Sequence, residues 1–510
     1  MMQKIKSLFG SQDMTEGSIP VGLLKFSIPL LIGSIAQMLY TAADRMIVGR
    51  FIEGFAENGD KLSDIALGAV GVSMPILNIF LVLFMAIGGG VMTMVSQYYG
   101  AKDKENLGLT IGNSITLVAL SCVLVTAVAT PLTGPMLKLL NTNAQPLMER
   151  MAYDYLFILF LGTTGGGFYN VFSGVLRGLG DSVFPLLVLL GTVALNIVLD
   201  ILCVAPWGLN MGVAGAAWAT IVSQILSAIA CMIRILRPKG AYSITRQSLR
   251  LHSATVRQIA RLGIPSGIQM AIMFVSNLIV QPFLMDMSAM VMDPLKNDWI
   301  QMGSLALPSL TATQSVDGFA LMPSQAFSMA AGTFTGQNIG AGRMDRVKSG
   351  SKTVFFMCLG FSVVMVTAMQ IFGRSMFRLF TDTELLVSLC RYYILIMIPA
   401  YLIMTVNMTY QGVMRGAGDA VGTMWISILI NVIFKLPLTL LIIHLTKGTT
   451  LNLKVNGVDT PVVWPNGSPA SMFYAMLICV FIGMFMTLVY YRRGSWKTKY
   501  VVKRENVDLN

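Results

Sequence analysis

Apolar residues in this chain come in long blocks, not in the two-residue alternation of a half-buried strand or the single stripe of a soluble helix. Twelve such blocks can be drawn, at residues 25–50, 66–99, 108–131, 146–179, 183–205, 212–236, 258–285, 305–340, 348–373, 384–416, 420–445 and 470–491. Several exceed the roughly 20 residues that an α-helix needs to cross about 30 Å of hydrocarbon. Backbone amides in lipid must find their partners within the segment, so the blocks predict transmembrane helices, spans 1 to 12. One stretch breaks this pattern. LNLKV and VDTPVV flank Asn456-Gly457, a two-residue turn of the hairpin type, which predicts a β-hairpin between spans 11 and 12.

Composition agrees with the pattern. Of 510 residues, 55% are hydrophobic and 12% charged, with a mean hydropathy of +0.70. A soluble domain carries about 25% charged residues, so too little polar surface remains to coat a water-soluble globule. The formal charge of +12 is not a nucleic-acid patch, because the cations recur between apolar blocks. Lys102 and Lys104 follow span 2, Arg343, Arg346 and Lys348 follow span 8, and Arg234, Arg237, Arg246 and Arg250 lie around the break between spans 6 and 7. Basic connections mark the cytoplasmic side, so both termini and the central linker are expected there. The polar N-terminus has no signal-peptide apolar core. The six cysteines fall singly inside apolar segments, as packing residues would.

The chain repeats itself. Ser96-Gln97-Tyr98-Tyr99-Gly100-Ala101 is echoed by Gly336-Gln337-Asn338-Ile339-Gly340-Ala341. Gly174-Val175-Leu176-Arg177-Gly178-Leu179-Gly180-Asp181 is echoed by Gly412-Val413-Met414-Arg415-Gly416-Ala417-Gly418-Asp419, and Ile28-Pro29 by Ile264-Pro265. Offsets of 240, 238 and 236 in the same order imply one duplication. Each half holds an even number of spans, so the halves are related by an axis along the membrane normal. The expected fold is an all-α integral membrane protein of twelve transmembrane helices in two six-helix lobes related by a pseudo-two-fold axis. Residues 1–24 form a cytoplasmic N-terminal segment, 25–236 the N-lobe, 237–257 a basic cytoplasmic linker, 258–491 the C-lobe and 492–510 a basic cytoplasmic tail.

An ionisable side chain inside the hydrocarbon is costly, so each one suggests function. The spans hold Asp44, Asp200, Asp317 and Lys435. Asp44 and Asp200 both lie roughly 27–29 Å along outward-running helices, at one depth. Asn196 shares a helix face with Asp200. Two carboxylates with amide and hydroxyl oxygens suit a hard cation. They suit a proton equally well, because adjacent carboxylates disfavour double ionisation. The second half replaces Asn196-x3-Asp200 by Asn431-x3-Lys435, an ammonium where the first has a carboxylate, which places the coupling ion in the N-lobe. Gln37, Tyr40, Thr41, Asp317 and Lys435 are the candidates for lining a substrate cleft, and Asp317 could instead pair with Lys435. The 37 methionines suit either a promiscuous binding surface or lipid-facing filler.

From about residue 14 to 495 the sequence resembles the multidrug and toxic compound extrusion (MATE) family. The resemblance rests on Met14-Thr15-Glu16-Gly17-Ser18-Ile19, Leu23 to Leu31, Asp44 with Val48-Gly49, the paired Gly-x-x-Arg-Gly-x-Gly-Asp turns, and Gly336-Gln337 leading into Gly340-Ala341-Gly342. It implies a V-shaped two-lobe fold that exports organic, often cationic, compounds in exchange for Na⁺ or H⁺, as an antiporter and not an enzyme. It implies no cofactor, and we expect a monomer in a bacterial cytoplasmic membrane. It matches the family's N-lobe ion residues to Asp44, Asn196 and Asp200, with Thr220 as the contributor on span 6; if Na⁺ is the ion, Asp44, Asn196 and Asp200 would ligate it. It implies that Pro29 is a hinge that bends when Asp44 is protonated or metallated. The Glu that some members carry on the seventh helix is Met273 here.

Two other classes fit less well. A flippase for lipid-linked saccharides needs several cations in its cleft, and Lys435 is the one expected within the membrane. An enzyme or ATP-driven pump needs an HExxH, GxSxG or GxxxxGK[ST] motif, and none occurs.

Overall fold

The structure is a computed structural model. It describes residues 12–55, 61–140, 146–237, 240, 242–285, 287, 289–293, 298–302, 306–378, 383–455 and 458–502.

The N-lobe consists of α1 (Ile19–Phe51), α2 (Leu62–Gly100), α3 (Lys104–Leu139), α4 (Pro146–Leu161), α5 (Thr163–Gly178), α6 (Val183–Val204) and α7 (Gly212–Ile235). The C-lobe consists of α8 (Ser253–Met285), α9 (Ala306–Gly340), α10 (Met344–Arg378), α11 (Glu384–Gly416), α12 (Ala420–Ile428), α13 (Lys435–Leu445) and α14 (Ala470–Arg493). Two predicted spans are subdivided. Span 4 is the pair α4–α5, bent by 52° at Gly162, where a Cβ would lie 2.2 Å from the Ile221 side chain. Span 11 is α12 and α13 joined by a π-helical turn, Leu429–Phe434. The twelve predicted spans are thus all helical. Several reach past their expected ends: α1 starts at Ile19 inside the N-terminal segment, α8 at Ser253 inside the linker, α14 runs to Arg493, and α2, α3 and α10 each begin four residues early.

Among the described residues, ten helices are long and apolar enough to cross a membrane, or eleven with the bent pair counted as one. Helix α9 is not among them. It carries Ser309, Thr313, Ser324, Ser328, Thr333, Gln337 and Asn338, all buried, so its polar groups face protein and not lipid.

The hairpin expected after span 11 is present as β3 (Thr449–Val455) and β4 (Val458–Trp464), paired antiparallel with Val455 opposite Val458. Its turn, Asn456-Gly457, lies outside the described residues. A second hairpin, β1 (Ala289–Asp293) and β2 (Asp298–Met302), sits between α8 and α9. The apolar pattern predicts no strands at this connection. Strand β1 also pairs with β4, giving one four-stranded sheet in the order β2-β1-β4-β3.

Helices α1 and α8 cross between the lobes. Leu23, Phe26 and Leu30 of α1 pack in a core with Phe327, Phe334 and Val413 of the C-lobe. Further along, Ile47 and Val48 pack with Tyr155 and Val213 of the N-lobe. Reciprocally, Ile259 and Leu262 of α8 join the N-lobe core. Pro29 is buried inside α1, where the helix passes from one core to the other. Its ring leaves the carbonyl four residues earlier without a helical donor.

At the basic end of the bundle the lobes meet through backbone. A Cβ on Gly100 would lie 1.9 Å from the Gln337 carbonyl oxygen, and one on Gly340 1.9 Å from that of Gln97. Only glycine permits this approach. The first and last described segments lie here too. Arg343 donates to the Thr15 carbonyl at 2.7 Å, and the Val501 N–H donates to Gln97 Oε1 at 2.7 Å.

Candidate functional site

Asp44 on α1 and Asp200 on α6 come together. Both are buried, and their carboxyl groups lie within hydrogen-bonding reach of each other. One turn from Asp200, the Asn196 amide donates to Asp200 Oδ2 at 2.9 Å, and its oxygen accepts from the Thr220 backbone N–H at 3.3 Å; this amide orientation is the one that satisfies both partners. The Thr220 hydroxyl lies 3.3 Å from the Tyr40 hydroxyl. Four elements, α1, α4, α6 and α7, thus enclose one polar pocket, with Tyr155 of α4 buried beside it.

Asp44 Oδ1 and Asp200 Oδ1 are both buried and accept no hydrogen bond. An orphaned carboxylate oxygen in low dielectric is expensive, and two in neighbouring carboxyl groups are more so. The groups around them are carboxylate, amide, hydroxyl and phenol, whose hard oxygens fit a proton or an alkali cation. Arg45, adjacent to Asp44 in sequence, is exposed and makes no ion pair with it among the described residues.

Other candidates are dispersed. Gln37 is exposed on α1, and the Thr41 hydroxyl bonds back to the Gln37 carbonyl at 3.1 Å. Met38 reaches Gly318 across the interface, 3.5 Å from where a Cβ would stand. Asp317, the neighbour of Gly318, accepts a hydrogen bond from Tyr401 of α11. Beyond Tyr401 a polar column continues through Thr405, whose hydroxyl donates to Ser362 at 3.2 Å. Lys435 is buried at the first residue of α13, beside Cys479 of α14. Met273 is exposed on α8, so the C-lobe has no carboxylate at that position.

Two segments of the chain, residues 29–202 and 265–441, match the MatE family model. The chain belongs to the MatE family. The two matched segments begin at Pro29 and Pro265, the repeat-related prolines of α1 and α8. This MatE chain is 24% identical over 499 residues to the probable multidrug resistance protein YoeA of Bacillus subtilis, covering 97% of each chain. It is 22% identical over 471 residues to the multidrug export protein MepA of Staphylococcus haemolyticus, covering 92% of this chain and 94% of that one. Its fold matches the outward-facing structure of a multidrug resistance MATE family transporter with a TM-score of 0.80, at 18% identity over 95% of this chain and 98% of that one. MatE membership makes this chain a multi-pass membrane transporter and not an enzyme.

Tyr155 and Tyr401, which border the two acidic sites of this MatE chain, carry no mark in the sequence that sets them apart. Each is one aromatic residue in a long apolar span, and nothing in the spacing tells which face it takes. The spacing is equally silent on the contacts of Arg415, which reaches Ser328 at 2.9 Å and Gln269 at 3.4 Å in the C-lobe interior. Its repeat mate Arg177 had marked both turns as one motif without revealing these partners.

Proposed function

We propose that this chain exports organic, often cationic, drugs or toxins across a bacterial cytoplasmic membrane in exchange for Na⁺ or H⁺. The ion site is Asp44, Asn196, Asp200 and Thr220. The observation that carries the reading is the pair of buried, partnerless carboxylate oxygens on Asp44 and Asp200, backed by the export functions of the named relatives.

In this mechanism the ion enters the N-lobe from outside. A proton shared between the two carboxyls, or an alkali cation ligated by them, removes the repulsion between α1 and α6. Because α1 spans both cores, a change at Asp44 is felt through Pro29 in its C-lobe-packed first turns. Closing of the cleft then expels a bound cation, for which Asp317, Tyr40, Gln37, Thr41 and Lys435 set the electrostatic lining. The single chain holds both lobes and works as a monomer, with both termini in the cytoplasm, since the first and last described segments lie at the basic end of the bundle.

The test is efflux of a fluorescent organic cation from cells, with Na⁺ and ΔpH imposed separately. Wild type should respond to one gradient, and Asp44→Asn and Asp200→Asn should each abolish that response. Undiminished gradient-driven efflux in both variants would remove the site.

A further inference from the structure

The basic end of the C-lobe contains a groove. It lies between α12 and α14 and measures about 400 Å³. Val421, Trp425, Leu429 and Met486 form its apolar wall, and Arg493 and Lys499 lie at its mouth. Trp425 is 57% exposed, so the groove opens sideways, off the bundle.

The two lobes are built differently at this place. In the N-lobe, Asp181 accepts from the Phe184 N–H at 3.0 Å and from Arg234 at 2.9 Å. The guanidinium lies 5.5 Å over the Phe184 ring, so arginine and phenylalanine fill the space. In the C-lobe, Asp419 accepts from the Gly422 N–H at 3.0 Å and from the Tyr490 hydroxyl at 2.7 Å. Gly422 stands at the same offset of 238 from Phe184 as Asp419 from Asp181, and its missing side chain makes room for the Tyr490 ring, whose hydroxyl would lie 2.5 Å from a Cβ there. A neutral tyrosine does what Arg234 does in the N-lobe. The single acid of the groove is therefore satisfied without a cation, and among the described residues neither Arg493 nor Lys499 is in an ion pair.

We infer that this groove binds one anionic phospholipid from the leaflet at the basic end of the bundle. Arg493 is the last residue of α14 and Asp419 the N-cap of α12, so the mouth lies where two spans leave the hydrocarbon, at headgroup level. Trp425 and Tyr490 stand there as interfacial aromatics do. An acyl chain lies along Trp425, Leu429 and Met486, and the phosphate faces Arg493 and Lys499. A zwitterionic lipid gains the apolar contacts without the charge complement. Binding is independent of transport, so the site can stand or fall apart from the proposed function.

The test uses the purified full chain in native mass spectrometry, titrated with phosphatidylglycerol or with phosphatidylcholine of the same acyl chains. Wild type should hold one phosphatidylglycerol about 30-fold more tightly than phosphatidylcholine, the scale expected for two basic residues near an anionic headgroup. Arg493→Gln with Lys499→Gln should equalise the two lipids, and Arg492→Gln, next to the groove's arginine, should leave the preference intact. As a second readout, brominated phosphatidylglycerol should quench a fluorescence component that is missing in Trp425→Phe. The inference is overturned if wild type shows no headgroup preference, if the double variant keeps it, or if inorganic phosphate alone prevents the quenching.

Discussion

Gln97 stands to Gly416 as Gln337 stands to Gly178. Each glutamine leaves its own lobe and donates to the same carbonyl of the other lobe's Gly-x-x-Arg-Gly-x-Gly-Asp turn, at 2.9 Å and 3.1 Å. Each then accepts from a backbone N–H near one chain end: Gln97 Oε1 from the Val501 N–H at 2.7 Å, and Gln337 Oε1 from the Met14 N–H at 3.0 Å. The duplication has thus produced a symmetric clasp, with the segments around Met14 and Val501 as its outer layer.

Opening this end must break the clasp. Gln97→Ala removes two buried hydrogen bonds, worth about 1 kcal/mol each, and should shift the population toward the opened arrangement by about 30-fold. Spin labels at Lys104 and Lys348, exposed in the first turns of α3 and α10, should show a longer distance. An unchanged distance distribution would mean the clasp holds nothing.

Asn196 joins Asp200 to Thr220, so Asn196→Ala should weaken the ion site without removing either carboxylate. A hydrogen bond to a charged group is worth about 1.5–3 kcal/mol, which predicts a ten- to hundredfold higher half-saturating ion concentration. Maximal efflux at saturating ion should be kept. A lowered maximum with unchanged half-saturation would instead assign Asn196 to the substrate path.

Pro29→Ala restores a hydrogen-bond donor within α1 and relieves a penalty of about 3 kcal/mol for proline inside a helix. The variant should fold, melt at a higher temperature and lose most of its efflux. Wild-type efflux in Pro29→Ala would remove the hinge.

Asp317 bonded to Tyr401 is the acidic group nearest the Met38–Gly318 contact between the lobes. Asp317→Asn should reduce export of a permanent organic cation about tenfold, the loss of one charge-assisted contact, and leave export of a neutral substrate near wild type. Equal losses for both would make Asp317 structural.

The spans were legible because a membrane leaves the chain few options: twelve apolar blocks could become little other than helices. The meeting of Asp44 and Asp200 was legible from equal depth on two helices running the same way. Thr220 came from family likeness, and its bond to Tyr40 could not be read from spacing. The π-turn before Lys435 left no mark in the apolar pattern of span 11. The bend at Gly162 was hidden because Gly165, Gly166 and Gly167 follow it closely, and a run of glycines does not say which one meets a neighbour. Strands β1 and β2 were missed because AMVMD and DWIQM are short and lack an alternation that separates them from a loop.

The sheet places a brace on one side of the molecule only. Through β1 and β4 it staples the outer ends of α8, α9, α13 and α14 together, while the described residues of the N-lobe offer a single bridge, Phe55 with Lys61. With the ion site proposed in the N-lobe, the C-lobe would serve as the anvil of the pair, and the N-lobe as the part that changes shape against it.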